Sequence, residues 1–513
     1  VLVRLGGVGA RTPRLAAALE QLRAIGEDPA VTGVVVELGD PGGGWATAGA
    51  LAEALAGLRA AGKTVELHVD HLGLPELRIG APASRLTLSP GAEPALSAPA
   101  PRLVTAGAAL ARLGVEVRVL AAGRFKSAGE LVARAYPSAA AREQAAALAD
   151  DLRDGLLTGI AADRGLPGPP WSALGGPRPA EELVAVGLVD GIVDPDDGGE
   201  GPPPPVGART WARTRGLAAR LGRPRLGAPR VACVHLEGPV VDGAGAGRGP
   251  QICPARANPA LQHLVDDDTV VAVVLAISTS GGSALASDRI ARAVQRLAAR
   301  KPVVVAMGDV CASGGYYIAA PAKLLVAHPQ TLTGSIGVIA ARLELSGALR
   351  RAGVHIEHLR GGPGATLADP TAPLSPEDAE ALQASIDRSY QRFLEVVAAG
   401  RGLPRDAVHA VAQGRVWTGR QALGAGLVDE LGALPHALRR AAELAACRPE
   451  DVRVVHISVS PDRRSLVRAA LGLGGAQVPA LMDLAEPLRR AEDLLRRPGA
   501  ALAWAPDLGL RGP

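Results

Sequence analysis

Two kinds of apolar pattern alternate along the chain. Short runs rich in β-branched residues, at 34–38 (VVVEL), 273–277 (VVLAI) and 302–307 (PVVVAM), predict strands. Segments with apolar residues three and four apart, at 46–58 and 285–297, predict helices. The chain also opens on a strand-like run, VLVRL. Strand, helix, strand in this order is the mark of parallel α/β units, so the predicted fold class is α/β. Alanine fits either face of a helix, and its abundance blurs the helical periodicity.

The pattern repeats. Gly42-Gly43 and Gly281-Gly282 stand 239 residues apart, as do the strand-like runs before them. The same offset of 239 relates Ala-Pro-Ala at Ala81 and Ala320, Gly-Val at Gly114 and Gly353, and Gly-Leu-Val-Asp at Gly187 and Gly426. One offset held by several distinct features identifies a tandem duplication. Between the copies the chain reads DPDDGGEGPPPP and then RTWARTRGLAARLGRPR, a linker composition. The expected organisation is an N-terminal repeat over 1–194, a Pro/Gly-rich and basic linker over 195–229, a C-terminal repeat over 230–446, and a tail over 447–513.

Composition narrows the function classes. With 55 basic and 51 acidic residues the charge is nearly balanced, and aromatic residues make up 2%. The balance gives no polyanion-binding block and the aromatics leave few stacking platforms, which argues against nucleic acid as a partner. Cys233, Cys253, Cys311 and Cys447 form no C-x-x-C pair, so the sequence predicts neither a disulfide framework nor a zinc site. No cofactor signature is present, and none of the ten histidines sits in an H-E-x-x-H motif. His68 and His71 lie near the first copy's counterpart of the serine turn, and His355 and His358 are expected at a strand end. All four read as solvated or capping imidazoles. No run reaches the roughly 18 apolar residues of a membrane span, and no signal-peptide pattern opens the chain. Because it starts on Val1 inside a strand-like run, the natural N-terminus is expected further upstream.

The copies differ at polar positions. The second has GDVCASGGYYIAAPAKLLVAHPQTLTGSIG at 308–337, with Ser313 before Gly314-Gly315 at a strand-to-helix turn. A serine there presents its hydroxyl, and neighbouring glycines let backbone N–H groups approach an oxyanion. The first copy has no serine between Val69 and Ala83. Conversely, the first copy carries Lys126 in GRFKSAGE, where the second has Ala365. Reciprocal retention fits a composite site and equally fits independent loss. Taken alone, Ser-Gly-Gly is usually a turn and a lone lysine a solvated charge.

The full motifs say more. AGRFKSAGELVARAYPSAAARE around Lys126, MGDVCASGGYYIAAPA…TLTGSIG around Ser313, and GRVWTGRQALGAGLVDELG at 414–432 resemble the signature regions of signal peptide peptidase A in its long tandem form. The resemblance runs over about 1–434. It implies two tandem crotonase-like (ClpP-like) domains, a homotetramer, and a serine endopeptidase with a Ser-Lys dyad that hydrolyses hydrophobic peptides such as cleaved signal peptides. It also implies a place at the bacterial cell membrane or its periplasmic side, through an N-terminal anchor that this chain does not include. By motif match Ser313 is the nucleophile, Lys126 the general base, and Ser335 a hydrogen-bond partner of the lysine amine. Gly281 or Gly282, together with Gly314, would supply the oxyanion hole. One departure is Ser278-Thr279-Ser280-Gly281-Gly282, which stands where the family usually has D/N-S-P-G-G.

A lysine serves as base near neutrality only if burial lowers its pKa from about 10.4, by up to roughly 3–5 for full enclosure. Phe125, Ala128 and Leu131 flank Lys126 favourably, whereas Arg124 would share its face on an extended segment. Tyr316 and Tyr317 are the expected walls of an apolar cleft. The rival readings are a catalytically inactive scaffold and a crotonase-like acyl-CoA enzyme, which needs the oxyanion glycines but no Ser-Lys pair.

Overall fold

The computed structural model describes residues 1–194, 206–208, 210–212, 227–243, 249–359 and 362–459. Most of the expected linker at 195–229 and most of the expected tail at 447–513 lie outside the described residues. The described residues form two compact units. One comprises Val1–Arg102 and the described part of Ala149–Arg223, the other Leu103–Leu148 and the described part of Pro224–Leu484. Packing and sequence repeat thus divide the chain differently, since residues 103–148 of the first repeat pack with the second.

The first unit is a parallel sheet of five strands, β1 (Leu2–Arg4), β2 (Gly33–Glu37), β3 (Thr64–Val69), β4 (Arg85–Leu88) and β6 (Gly191–Ile192), in that order. Helices Thr12–Glu27, Trp45–Ala60 and Leu74–Gly80 connect them. Leu51, Leu55 and Leu58 are buried at helical spacing, and Val34, Val36, Val65 and Leu67 are buried in the sheet.

In the second unit the sheet order is β13 (Val416–Thr418), β11 (Leu332–Gly334), β9 (Val303–Ala312), β8 (Val270–Thr279), β7 (Arg230–Glu237) and β15 (Arg453–Ser458). Strand β9 is long enough to serve two neighbours. Its first half pairs β10 (Leu324–Ala327) and its second half β11, both in parallel. Strand β10 in turn pairs β14 (Glu430–Leu431). The central strands read as unbroken apolar runs because both faces are covered. One face packs on helices that include Ala284–Ala298 and Pro376–Arg401, the other on Leu434–Leu444. Separately, β5 (Glu116–Ala122) pairs antiparallel with β12 (Val338–Glu344).

The duplication is visible element by element. Strands β4 and β10, and β6 and β14, coincide at the 239-residue offset. The recurring Gly-Leu-Val-Asp has a physical reason. Asp190 accepts the Leu86 N–H at 2.7 Å and pairs with Arg164, while Asp429 accepts the Leu325 N–H at 2.7 Å and pairs with Arg401. Each carboxylate fastens a helix to the start of a strand in its own unit. Among the described residues no helix is long and apolar enough to cross a membrane.

Candidate active site

Two strand registers bring the predicted residues together. In the parallel pair β9/β11, Ala312 is opposite Gly334, so the residues that follow, Ser313 and Ser335, emerge side by side. In the antiparallel pair β5/β12, Ala122 is opposite Val338, so the chain leaving β5 toward Lys126 runs beside the chain entering β12 from Ser335. Lys126, Ser313 and Ser335 all belong to the second unit and meet within one chain.

Ser313 sits between β9 and the helix Gly314–Ala319 with φ 53° and ψ −117°. Strand β9 runs to Ala312, five residues past the expected end at Met307, and carries the serine to the turn itself. A non-glycine residue at positive φ costs of order 1–3 kcal/mol and is held there by its surroundings. Here the Ser313 N–H donates to the Gly334 carbonyl at 2.9 Å. The glycines that follow are required sterically. A Cβ on Gly314 would lie 2.4 Å from Ser287 Oγ, and one on Gly315 2.5 Å from Thr279 Cγ2.

Lys126 opens a short 3-10 turn after β5. The Phe125 N–H donates to the Gln413 carbonyl at 2.8 Å, and Gly414, at φ +77°, lets the backbone approach so closely that a Cβ would sit 2.6 Å from Lys126 Cβ. The amine lies 3.0 Å from Ser313 Oγ, 2.9 Å from the Ser335 carbonyl and 3.0 Å from Ser335 Oγ. Desolvation of the enclosed amine lowers its pKa to about 7. The amine donates to all three oxygens, the Ser335 carbonyl, Ser335 Oγ and Ser313 Oγ. Arg124 does not share the lysine's pocket. Its side chain is exposed, stacks 4.9 Å over Phe125 and pairs with Glu143 at 3.0 Å.

Ser335 also has positive φ, at 51°, and its N–H donates to the Arg415 carbonyl at 2.7 Å. The Arg415 guanidinium lies 4.7 Å over both Phe125 and Trp417 and 3.1 Å from Glu143. Gln144 accepts the Val416 N–H at 2.8 Å. Arg415 and Glu143 thus tie the lysine segment to the Ser335 loop. Sequence reasoning missed both, although Arg415 lies inside the motif quoted at 414–432.

The glycine pair after β8 flanks the serine. A Cβ on Gly281 would fall 2.6 Å from the Gly314 nitrogen and 2.8 Å from Ser313 Cβ. On Gly282 it would fall 2.0 Å from the Val240 carbonyl oxygen. The Gly281 N–H donates to Thr279 Oγ1 at 3.0 Å, a turn that stiffens the loop lacking the family's proline. Gly314 is the first residue of its helix, so its N–H has no intrahelical acceptor. The Gly282 N–H has no acceptor among the described residues. The Gly281 N–H is thus engaged within its own loop, whereas that of Gly282 is not.

Other expectations are corrected. Tyr316 and Tyr317 line no cleft. Both are buried in the core, their hydroxyls donating to the Leu427 carbonyl and to Asp288. His355 and His358 stand on irregular chain rather than at a strand end, and His358 lies 3.4 Å from Asp369. In the first unit the helix equivalent to Gly314–Ala319 is Leu74–Gly80, and Gly73 precedes it. That turn has no hydroxyl to offer.

The model for Peptidase family S49 matches residues 295–448. Protease 4 of Salmonella typhi is 31% identical over 451 residues, covering 83% of this chain and 71% of the relative. The chain belongs to peptidase family S49. The chloroplastic serine protease SPPA of Arabidopsis thaliana is 29% identical over 88% of this chain and 68% of its own length. A putative signal peptide peptidase SppA of Enterococcus faecium is 35% identical over 35% of this chain and 52% of its own. As a family S49 member the chain is a serine peptidase acting on peptides, of the crotonase-like (ClpP-like) α/β fold implied by its motifs. Membership sets the acyl-CoA reading aside.

Proposed function

We propose that this serine peptidase is an endopeptidase with a Ser313–Lys126 dyad, cleaving apolar peptides such as signal peptides released after secretion. The reading rests above all on one observation, a desolvated lysine amine 3.0 Å from the hydroxyl of a serine held at positive φ. In the first step the Lys126 lone pair takes the Ser313 proton as Oγ attacks the peptide carbonyl. Negative charge collects on the carbonyl oxygen, and the N–H groups of Gly314 and Gly282 hold it. The ammonium, fixed by Ser335, returns its proton to the leaving amine. A water deprotonated by the same amine then attacks the acyl-enzyme and frees Ser313. Serving as base requires the neutral amine, so activity rises with pH through about 7.

The substrate class comes from the motif resemblance and from the Enterococcus faecium relative, a putative signal peptide peptidase. Assembly as a homotetramer and work at the bacterial membrane or its periplasmic face come from the same source, and light scattering and cell fractionation test them. For the dyad, the test is labelling by a fluorophosphonate together with turnover of a peptide ester. Ser313→Ala should abolish labelling, and Lys126→Ala should lower kcat by about 10²–10⁴. Near-normal turnover in Lys126→Ala overturns the dyad, and no turnover by the parent chain at any pH from about 7 to about 10, across the lysine range, favours an inactive scaffold.

A further inference from the structure

The edge of the second unit's sheet carries a cluster unrelated to the Ser313 turn. Strand β15 lies in parallel beside β7, with His456 opposite Cys233. Cys233 and His235 are two residues apart on β7, so their side chains leave the same face, as does that of His456 across the pair. One donor atom from each of the three lies within 4.8 Å of the other two. Cys233 Sγ is 3.7 Å from His235 Nε2, which is 2.8 Å from His456 Nδ1, and the two rings stack at 5.1 Å. Cys233 and His235 are buried, whereas His456 reaches the surface.

We propose that Cys233, His235 and His456 form a zinc site that fastens β15 to the sheet. Tetrahedral zinc, with bonds of about 2.3 Å to sulfur and about 2.0–2.1 Å to nitrogen, sets its ligand atoms roughly 3.4–3.6 Å apart. The Sγ–Nε2 separation of 3.7 Å already fits this edge. The 2.8 Å Nε2–Nδ1 contact is a hydrogen bond that zinc replaces, and opening it takes a shift of roughly half an ångström at the exposed His456. One thiolate and two imidazoles are borderline-soft donors that suit zinc, whereas magnesium and calcium take oxygen. On binding, the Cys233 S–H bond breaks and its proton leaves to solvent. The proton shared between the imidazoles moves to the far nitrogen of its ring, freeing both facing lone pairs. Among the described residues these three supply the ligands, and the fourth position is left to water.

The site is legible only after folding, because 221 residues separate His235 from His456. Spacing rules for cysteine motifs therefore miss it. It is independent of the peptidase chemistry, so the two ideas stand or fall separately.

The test uses the full chain, freed of metal by chelation and titrated with Zn²⁺ by calorimetry, and with Co²⁺ as a spectroscopic probe. The expected result is one equivalent of zinc, with proton release visible as a buffer-dependent heat. Co²⁺ should show a thiolate-to-metal charge-transfer band. Cys233→Ser should remove that band, and His456→Ala, a surface change that spares the core, should weaken zinc binding at least tenfold. Fluorophosphonate labelling of Ser313 should be the same in His456→Ala and the parent. Failure of the parent to take up stoichiometric zinc, or unaltered uptake by His456→Ala, overturns the site.

Discussion

Replacing Lys126 by methionine removes the amine and keeps most of the side-chain volume, so it isolates the cost of the buried amine. Holding an amine at about 7 instead of 10.5 costs the folded state about 5 kcal/mol when the group is charged, at 1.36 kcal/mol per pH unit. Between these two values the unfolded chain binds more protons than the folded one, so parental stability rises with pH. From about pH 7 to about pH 9 the cost falls by about 2 kcal/mol, and it vanishes above the unfolded value. The methionine variant lacks this slope. Its stability relative to the parent should therefore fall by about 2 kcal/mol over the same interval, on top of a constant offset from Ser335 losing its donor. The assay is urea unfolding followed by hydrogen exchange at the Ser313 strand, which reads this unit alone. A gap between the two proteins that does not change with pH would refute the lowered pKa, and with it the argument for a neutral base.

Four further outcomes follow from the geometry. The log of kcat/KM for a peptide ester should climb with unit slope below about pH 7 and level off above it, and a flat profile would contradict a titrating base. Ser335→Ala removes one of the amine's three acceptors, worth about 1 kcal/mol, so kcat should drop about fivefold with KM little changed in steady-state assays. Thr279→Val takes away the hydroxyl that fixes the Gly281 N–H, and should lower kcat about tenfold while thermal unfolding shifts by only a few degrees. Gly282→Ala would drive a Cβ to 2.0 Å from the Val240 carbonyl, displacing the proposed oxyanion donor, and should cost about 10²–10³ in kcat with Ser313 still present.

The sequence carried the central strands because their β-branched apolar runs stand out even where alanine blurs the helices. Short runs rich in β-branched residues suit a sheet covered on both faces, and 270–279 and 303–312 are strands as the runs at 273–277 and 302–307 predicted. The repeat was equally legible, since Gly-Leu-Val-Asp is held by the carboxylate that anchors each copy. Aromatic positions misled. Tyr316 and Tyr317 look like cleft walls when read beside Ser313, but a helix that begins at Gly314 turns them inward, where Leu427 and Asp288 satisfy their hydroxyls. Arg124 misled for a similar reason, because the chain leaves β5 and turns before Lys126, so alternation no longer applies. Arg415, Glu143 and the β15 histidine were beyond reach, since their partners are set by long-range register that no local pattern encodes.

Residues 103–148, encoded in the first repeat, are built into the second unit, and Lys126 travels with them. Duplication usually leaves a spare copy free to be deleted. Here the proposed dyad would bind the copies together, because a gene severed at the linker would put Ser313 on one fragment and Lys126 on the other.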